Sequence, residues 1–161
     1  MTSSFKMKEI ARLRKVFLTA TNQSEEMDKE TFLAIQCISI NPLKERIAFC
    51  FGYDDTTFTL DFSAFLEGVS AFNSIGRANQ KLKLAFKIQD FDGDQKISRS
   101  DLQQYIEIIT ANALTDAEVM SLVSNVMKES SSDQNLQFIS LPDFQRVVVK
   151  TDFQAKLQLP F

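Results

Sequence analysis

One short plan recurs four times along the chain, and it restricts the fold more than any other feature. Each copy has an apolar helical stretch, a polar loop, one apolar residue of β type, and a second helix that opens on an aromatic or a leucine. The second halves read Met27-Asp28-Lys29-Glu30-Thr31-Phe32, Leu60-Asp61-Phe62-Ser63-Ala64-Phe65, Ile97-Ser98-Arg99-Ser100-Asp101-Leu102 and Ile139-Ser140-Leu141-Pro142-Asp143-Phe144. The intervals between the leading apolar residues are 33, 37 and 42 positions. Spacing of this kind marks one supersecondary unit used several times. The expected fold is all-α: four helix-loop-helix units in two paired lobes, with short β-bridges between paired loops.

The helical stretches carry apolar stripes of the right period. Ile10, Leu13 and Phe17 fall on one face, and Lys6, Lys8, Arg12, Arg14 and Lys15 remain for solvent or a membrane surface. Leu82, Ala85, Phe86 and Gln89 lead into the third loop, and Leu102, Tyr105, Ile106 and Ile109 lead out of it. Asn41-Pro42 predicts an N-cap followed by a first helical residue. Thr115 and Glu118 predict a capping box ahead of Val119, Leu122, Val123 and Val126. The stretch Phe72 to Asn79 is the one credible linker. The expected organisation is a first pair over residues 1–73, a linker over 74–80, a second pair over 81–150 and a tail over 151–161.

The third loop, Asp90-Phe91-Asp92-Gly93-Asp94-Gln95-Lys96-Ile97-Ser98-Arg99-Ser100-Asp101, carries carboxylates at positions 1, 3, 5 and 12. Calcium takes about six to eight hard oxygen ligands, and this spacing wraps the backbone round one ion as an EF-hand does. Asp90, Asp92 and Asp94 are the expected side-chain ligands. Lys96 offers its backbone carbonyl, Ser98 binds directly or through water, and Asp101 closes the shell. Ile97 is expected to pair with the matching residue of the neighbouring loop. Position 6 is Gln95, where the turn favours glycine, at a cost of about 1 kcal/mol. Position 12 is aspartate, one methylene shorter than glutamate, and the tighter six-ligand shell suits magnesium better than calcium, so modest calcium affinity with magnesium competition is expected. An acidic turn that binds nothing is the alternative.

The other loops are poorer. Ala20, Asn22, Ser24 and Thr31 occupy the ligand positions of the first, and Tyr53, Asp55, Thr57 and Ala64 those of the second. Asp54-Asp55 reads as a solvated turn. In the fourth, Ser131, Asp133, Asn135 and Asp143 reach an ion only if the loop holds one extra residue.

Composition removes other functions. There is no histidine among the 161 residues, which excludes Ser–His–Asp and Cys–His catalysis within the chain. No phosphate-cradling glycine motif occurs, so the expectation is no enzyme. The net charge of −3 and scattered basic residues argue against nucleic acid. Cys37 and Cys50 read as reduced, core-filling thiols. The first residues lack an apolar signal core and a glycine at position 2 for myristate, so the expected compartment is the cytoplasm, with membrane association only through a partner.

With these motifs in view, the sequence resembles the calcineurin B group of EF-hand proteins: the calcineurin regulatory subunit, calcineurin B homologous proteins, and calcium- and integrin-binding proteins. The stretches that carry the resemblance are Asn41-Pro42-Leu43 with Arg46-Ile47, and Leu60-Asp61-Phe62 with Phe65, Glu67-Gly68-Val69-Ser70 and Phe72. Lys81-Leu82, Leu84-Ala85-Phe86-Lys87-Ile88 before Asp90, Lys96-Ile97-Ser98-Arg99, and Asp152-Phe153-Gln154 with Lys156-Leu157 extend it over nearly the whole chain. Gln95 is most like the homologous proteins. The resemblance implies a non-enzymatic regulatory subunit or adaptor that binds calcium; the loops of this chain, read residue by residue, leave one site, with magnesium as competitor, where calcineurin's own subunit has four. It implies a partner held through an amphipathic helix: a calcineurin-like phosphatase catalytic subunit, or the cytosolic tail of a membrane transporter or receptor. Some of the fifteen phenylalanines and five methionines are then expected to line an apolar groove, which the tail from Asp152 to Phe161 covers in the absence of a partner. The rival reading is a simple cytosolic calcium buffer or sensor.

Overall fold

The computed structural model describes residues 5–53, 59–73 and 78–148. The linker positions 74–77, the tail and the Asp54-Asp55 turn with Thr57 lie outside them. The described residues are mainly helical and form two compact units, one ending at Asn73 and the other starting at Ala78.

In the first unit, α1 (Met7–Ala20) buries Leu13 and Phe17, the stripe expected for it. Strand β1 (Glu26–Asp28) follows, then α2 (Lys29–Ala34), α3 (Gln36–Ser39), α4 (Lys44–Phe51), β2 (Thr59–Asp61) and α5 (Phe62–Asn73). Met27 and Leu60, the β-type residues of the repeat, face each other across the antiparallel β1–β2 pair, and both are buried. The residue after each strand begins a helix, because an aspartate caps it. Asp28 accepts the Thr31 N–H at 2.7 Å and Asp61 accepts the Ala64 N–H at 2.8 Å.

The helix after β1 differs from expectation. It breaks at Ile35, whose ψ of 126° is extended, so that α2 and α3 are separate short pieces. Asn41 is also not the cap of α4. Its Oδ1 takes the Leu43 N–H at 2.9 Å and its carbonyl the Lys44 N–H, making a turn that delays the helix to Lys44. The side chain satisfies a local donor of the turn before it can reach a helix terminus.

The first unit's core is aromatic. Phe32 sits 4.7 Å from Phe51 and 5.3 Å from Tyr53 between ring centroids, Phe51 stacks on Phe72 at 5.6 Å, and Phe17 meets Phe65 edge-on at 5.5 Å. Such pairs add about 0.5–1.5 kcal/mol each beyond area burial.

In the second unit, α6 (Ala78–Gln89), β3 (Ile97–Ser98), α7 (Arg99–Ile109), α8 (Asp116–Ser130), β4 (Phe138–Ile139) and α9 (Leu141–Val148) repeat the plan. Ile97 pairs with Ile139 as the repeat predicts, and both are buried. The Thr115–Glu118 capping box forms at the start of α8, with the Thr115 N–H donating to Glu118 at 2.8 Å. The core is chiefly aliphatic: Leu82, Leu102, Val119, Val123 and Met127, closed by Phe86 against Phe144. Among the described residues, no helix is long and apolar enough to cross a membrane.

Candidate metal centre

The third loop hangs between the end of α6 and the start of α7, with β3 fixing its far side. Within it Asp90, Asp92 and Asp94 each place one carboxylate oxygen within 4.8 Å of the others. Backbone donors hold them there. Asp90, a buried residue, accepts the N–H groups of Gly93 at 2.8 Å and Gln95 at 3.0 Å. Asp92 accepts the Asp94 N–H and Asp94 the Lys96 N–H, so each of these two carboxylates is oriented by the residue two positions on.

Two positive-φ residues make the tight turn: Gly93 at 75° and Gln95 at 66°. The glutamine accordingly occupies the left-handed conformation that position 6 requires, and carries the strain a glycine would not. Burial, together with the nearby charges of Asp94 and Asp101, pushes the Asp90 carboxyl above its ordinary range, against the pull of the Gln95 and Gly93 N–H groups. Three carboxylate oxygens held this close repel one another, and a bound cation would relieve that repulsion.

Asp101 is placed differently from the other three. It is buried at 2% exposure, with one oxygen on the Phe91 N–H at 3.1 Å and the other on the Ser98 N–H and hydroxyl at 2.7 and 2.6 Å. Asp101 thus ties both ends of the loop together, and Ser98 serves as the N-cap of α7. The Lys96 ammonium points away and lies 4.6 Å from the Phe138 ring centroid. Arg99 links the loop to its neighbour, donating to Ser124 at 2.8 Å and to the Leu136 carbonyl at 3.4 Å.

In the first unit, the described loop residues are tied by the chain's own groups. Ala20, counted as a ligand position, is the last residue of α1, and the turn after it is tied by the Thr21 hydroxyl on the Ser24 carbonyl at 2.7 Å. Tyr53, at the first position of the second loop, is buried, and its hydroxyl donates to the Met27 carbonyl at 2.7 Å. The bond joins the two loops directly. Its one trace in the sequence is the residue type, an aromatic where a carboxylate would stand.

Arg12, Lys15, Val16, Thr19, Ala34 and Ile35 line an open cleft of about 610 Å³ between α1 and α2–α3. It is mainly apolar with a basic edge, and among the described residues no phenylalanine or methionine lines it. Phe17, Phe32, Phe51, Phe65, Phe72, Phe86 and Phe144 are buried core residues. Cys37 and Cys50, on α3 and α4, are half-buried thiols outside any disulfide, and burial raises the Cys37 thiol above its usual range.

A model of the EF-hand domain pair matches residues 79–149, which contain the Asp90–Asp101 loop. The calcineurin B protein of Candida glabrata is 33% identical over 160 residues, spanning 99% of this chain and 90% of that protein. The chain belongs to the calcineurin B family. The calcineurin B proteins of Schizosaccharomyces pombe and Yarrowia lipolytica are 32% and 30% identical, each over 98% of this chain and 90% of theirs. A regulatory, calcium-binding EF-hand role comes with membership of this family.

Proposed function

We propose that this calcineurin B-type chain holds one divalent cation in the third loop and in that state grips an amphipathic helix of a protein partner. The observation that carries the reading is the convergence of Asp90, Asp92 and Asp94 at loop positions 1, 3 and 5. Asp90, Asp92 and Asp94 supply carboxylate oxygens, Lys96 its carbonyl, and Ser98 and Asp101 the remaining ligands. The role is binding rather than catalysis. Asp101 reaches less far than glutamate, and Gln95 strains the turn, so calcium binding is modest and magnesium competes.

The partner implied by the relatives' name is the catalytic subunit of a calcineurin-type phosphatase; the tail of a membrane transporter or receptor is the other candidate. The apolar cleft beside α1 supports a docked helix. The setting is cytoplasmic, with any membrane contact made by the partner. A plain buffer would store little in one imperfect loop.

Calorimetric titration of the full chain with calcium and with magnesium tests the metal reading. Each ion should bind, and Asp90→Asn with Asp92→Asn should abolish binding. Nanomolar calcium affinity indifferent to millimolar magnesium would refute the shared site. Capture of a phosphatase catalytic subunit in calcium but not in chelator is the expected partner result.

A further inference from the structure

The fourth loop has the architecture of the third but a different occupant. Ser131 follows α8 as Asp90 follows α6: its N–H bonds the Met127 carbonyl at 3.0 Å, as that of Asp90 bonds Phe86 at 3.0 Å. Eight positions separate Ser131 from Ile139, against seven from Asp90 to Ile97, so the loop carries one extra residue and closes at Asp143. Asp143 is buried, like Asp101. Here a cation of the chain itself meets it. Arg146 donates to Asp143 Oδ1 at 3.1 Å and to the Ser130 carbonyl, the last of α8, at 2.8 Å. The other carboxylate oxygen takes the hydroxyls of Ser132 at 2.9 Å and Ser140 at 2.7 Å.

A metal ion in an EF-hand loop joins the end of the incoming helix to the position-12 carboxylate of the outgoing one. The guanidinium makes the same connection, and its positive charge lies where the C-terminus of α8 favours one. In the third loop the residue three beyond Asp101 is Gln104, which bonds Ser100 instead. We infer that Arg146 stands in for the cation of the fourth loop, closing it without metal and excluding calcium from it. The inference rests on the same reading of the family's loops as the proposed function and fixes the number of ions at one.

The test is calcium calorimetry on the full chain in a background where the third loop is disabled by Asp90→Asn and Asp92→Asn. That variant should take up no calcium. Adding Arg146→Gln should open a weak site at residues 131–143, with affinity raised about tenfold or more by loss of the positive charge. Arg146→Lys, which keeps the charge, should leave the loop empty. Retention of one ion by the variant that still has Arg146 would overturn the inference without any folding question. So would equal, null titrations for Arg146 and a folded Arg146→Gln. A wild-type chain that binds no ion would instead defeat the third-loop reading and leave the Arg146 comparison decisive.

Discussion

Asp28 shows how a single side chain fixes the entry to a helix. It is exposed, yet its hydrogen bonds from the Thr31 N–H and hydroxyl hold its carboxyl below the ordinary aspartate range. Because the folded-state pKa is lowered, the contribution is present above the unfolded value and is lost as pH falls through the folded one. Asp28→Ala should cost about 1 kcal/mol at neutral pH, and the gap from wild type should narrow below about pH 4. Urea unfolding at the two pH values measures it. Tyr53 makes a longer-range bond. Its hydroxyl reaches Met27 from the other loop, and burial with the charge of Asp28 pushes its pKa far above the usual tyrosine range. Tyr53→Phe should destabilise the first unit by about 1–2 kcal/mol, through the Met27 carbonyl left short of a partner, with the ring packing kept. Thermal unfolding of the variant is the check.

At the scale of elements, helix α5 lies so close to α4 that Gly68 has no room for a side chain. A Cβ there would stand 2.4 Å from the Phe51 ring. Gly68→Ala should therefore destabilise by about 1–3 kcal/mol, overpacking outweighing the helix propensity gained, as denaturant midpoints will show. The residues of α5 that approach α4 are visible in the sequence as an apolar stripe, but the need for a bare backbone at Gly68 is not. Stripes and caps are local properties, so α1, the Thr115–Glu118 box and the β-type residues are all readable. The break at Ile35 is not, since neither glycine nor proline marks it and the neighbouring residues are ordinary helix formers. The delay of α4 to Lys44 has the same origin: Asn41 offers two local uses for its side chain, and the sequence does not rank them.

For the whole molecule, the two units are stabilised by unlike means. The first has a core of meeting rings and a tyrosine bond between its loops, and the second an acidic loop beside a core of aliphatic side chains. A ligand that binds only the folded state adds stability in proportion to RT ln(1 + [L]/Kd). Chelator should accordingly speed amide hydrogen exchange at Ile97 and Ile139 by about tenfold or more relative to saturating calcium, a gain near 1.4 kcal/mol, while Met27 and Leu60 exchange unchanged. Equal acceleration in both units would contradict the division of labour. The amino-acid sequence by itself determined the repeat, the helix-loop-helix plan, the pairing of Met27 with Leu60 and Ile97 with Ile139, and the loop richest in carboxylates, because each depends on spacing within a short stretch. Tertiary structure decided which loop positions are taken by the chain's own groups. Tyr53 joins a loop 26 residues away, and Arg146 crosses to a carbonyl 16 residues back. Those contacts depend on which helix ends meet in space, a matter of packing that no local pattern of residues encodes.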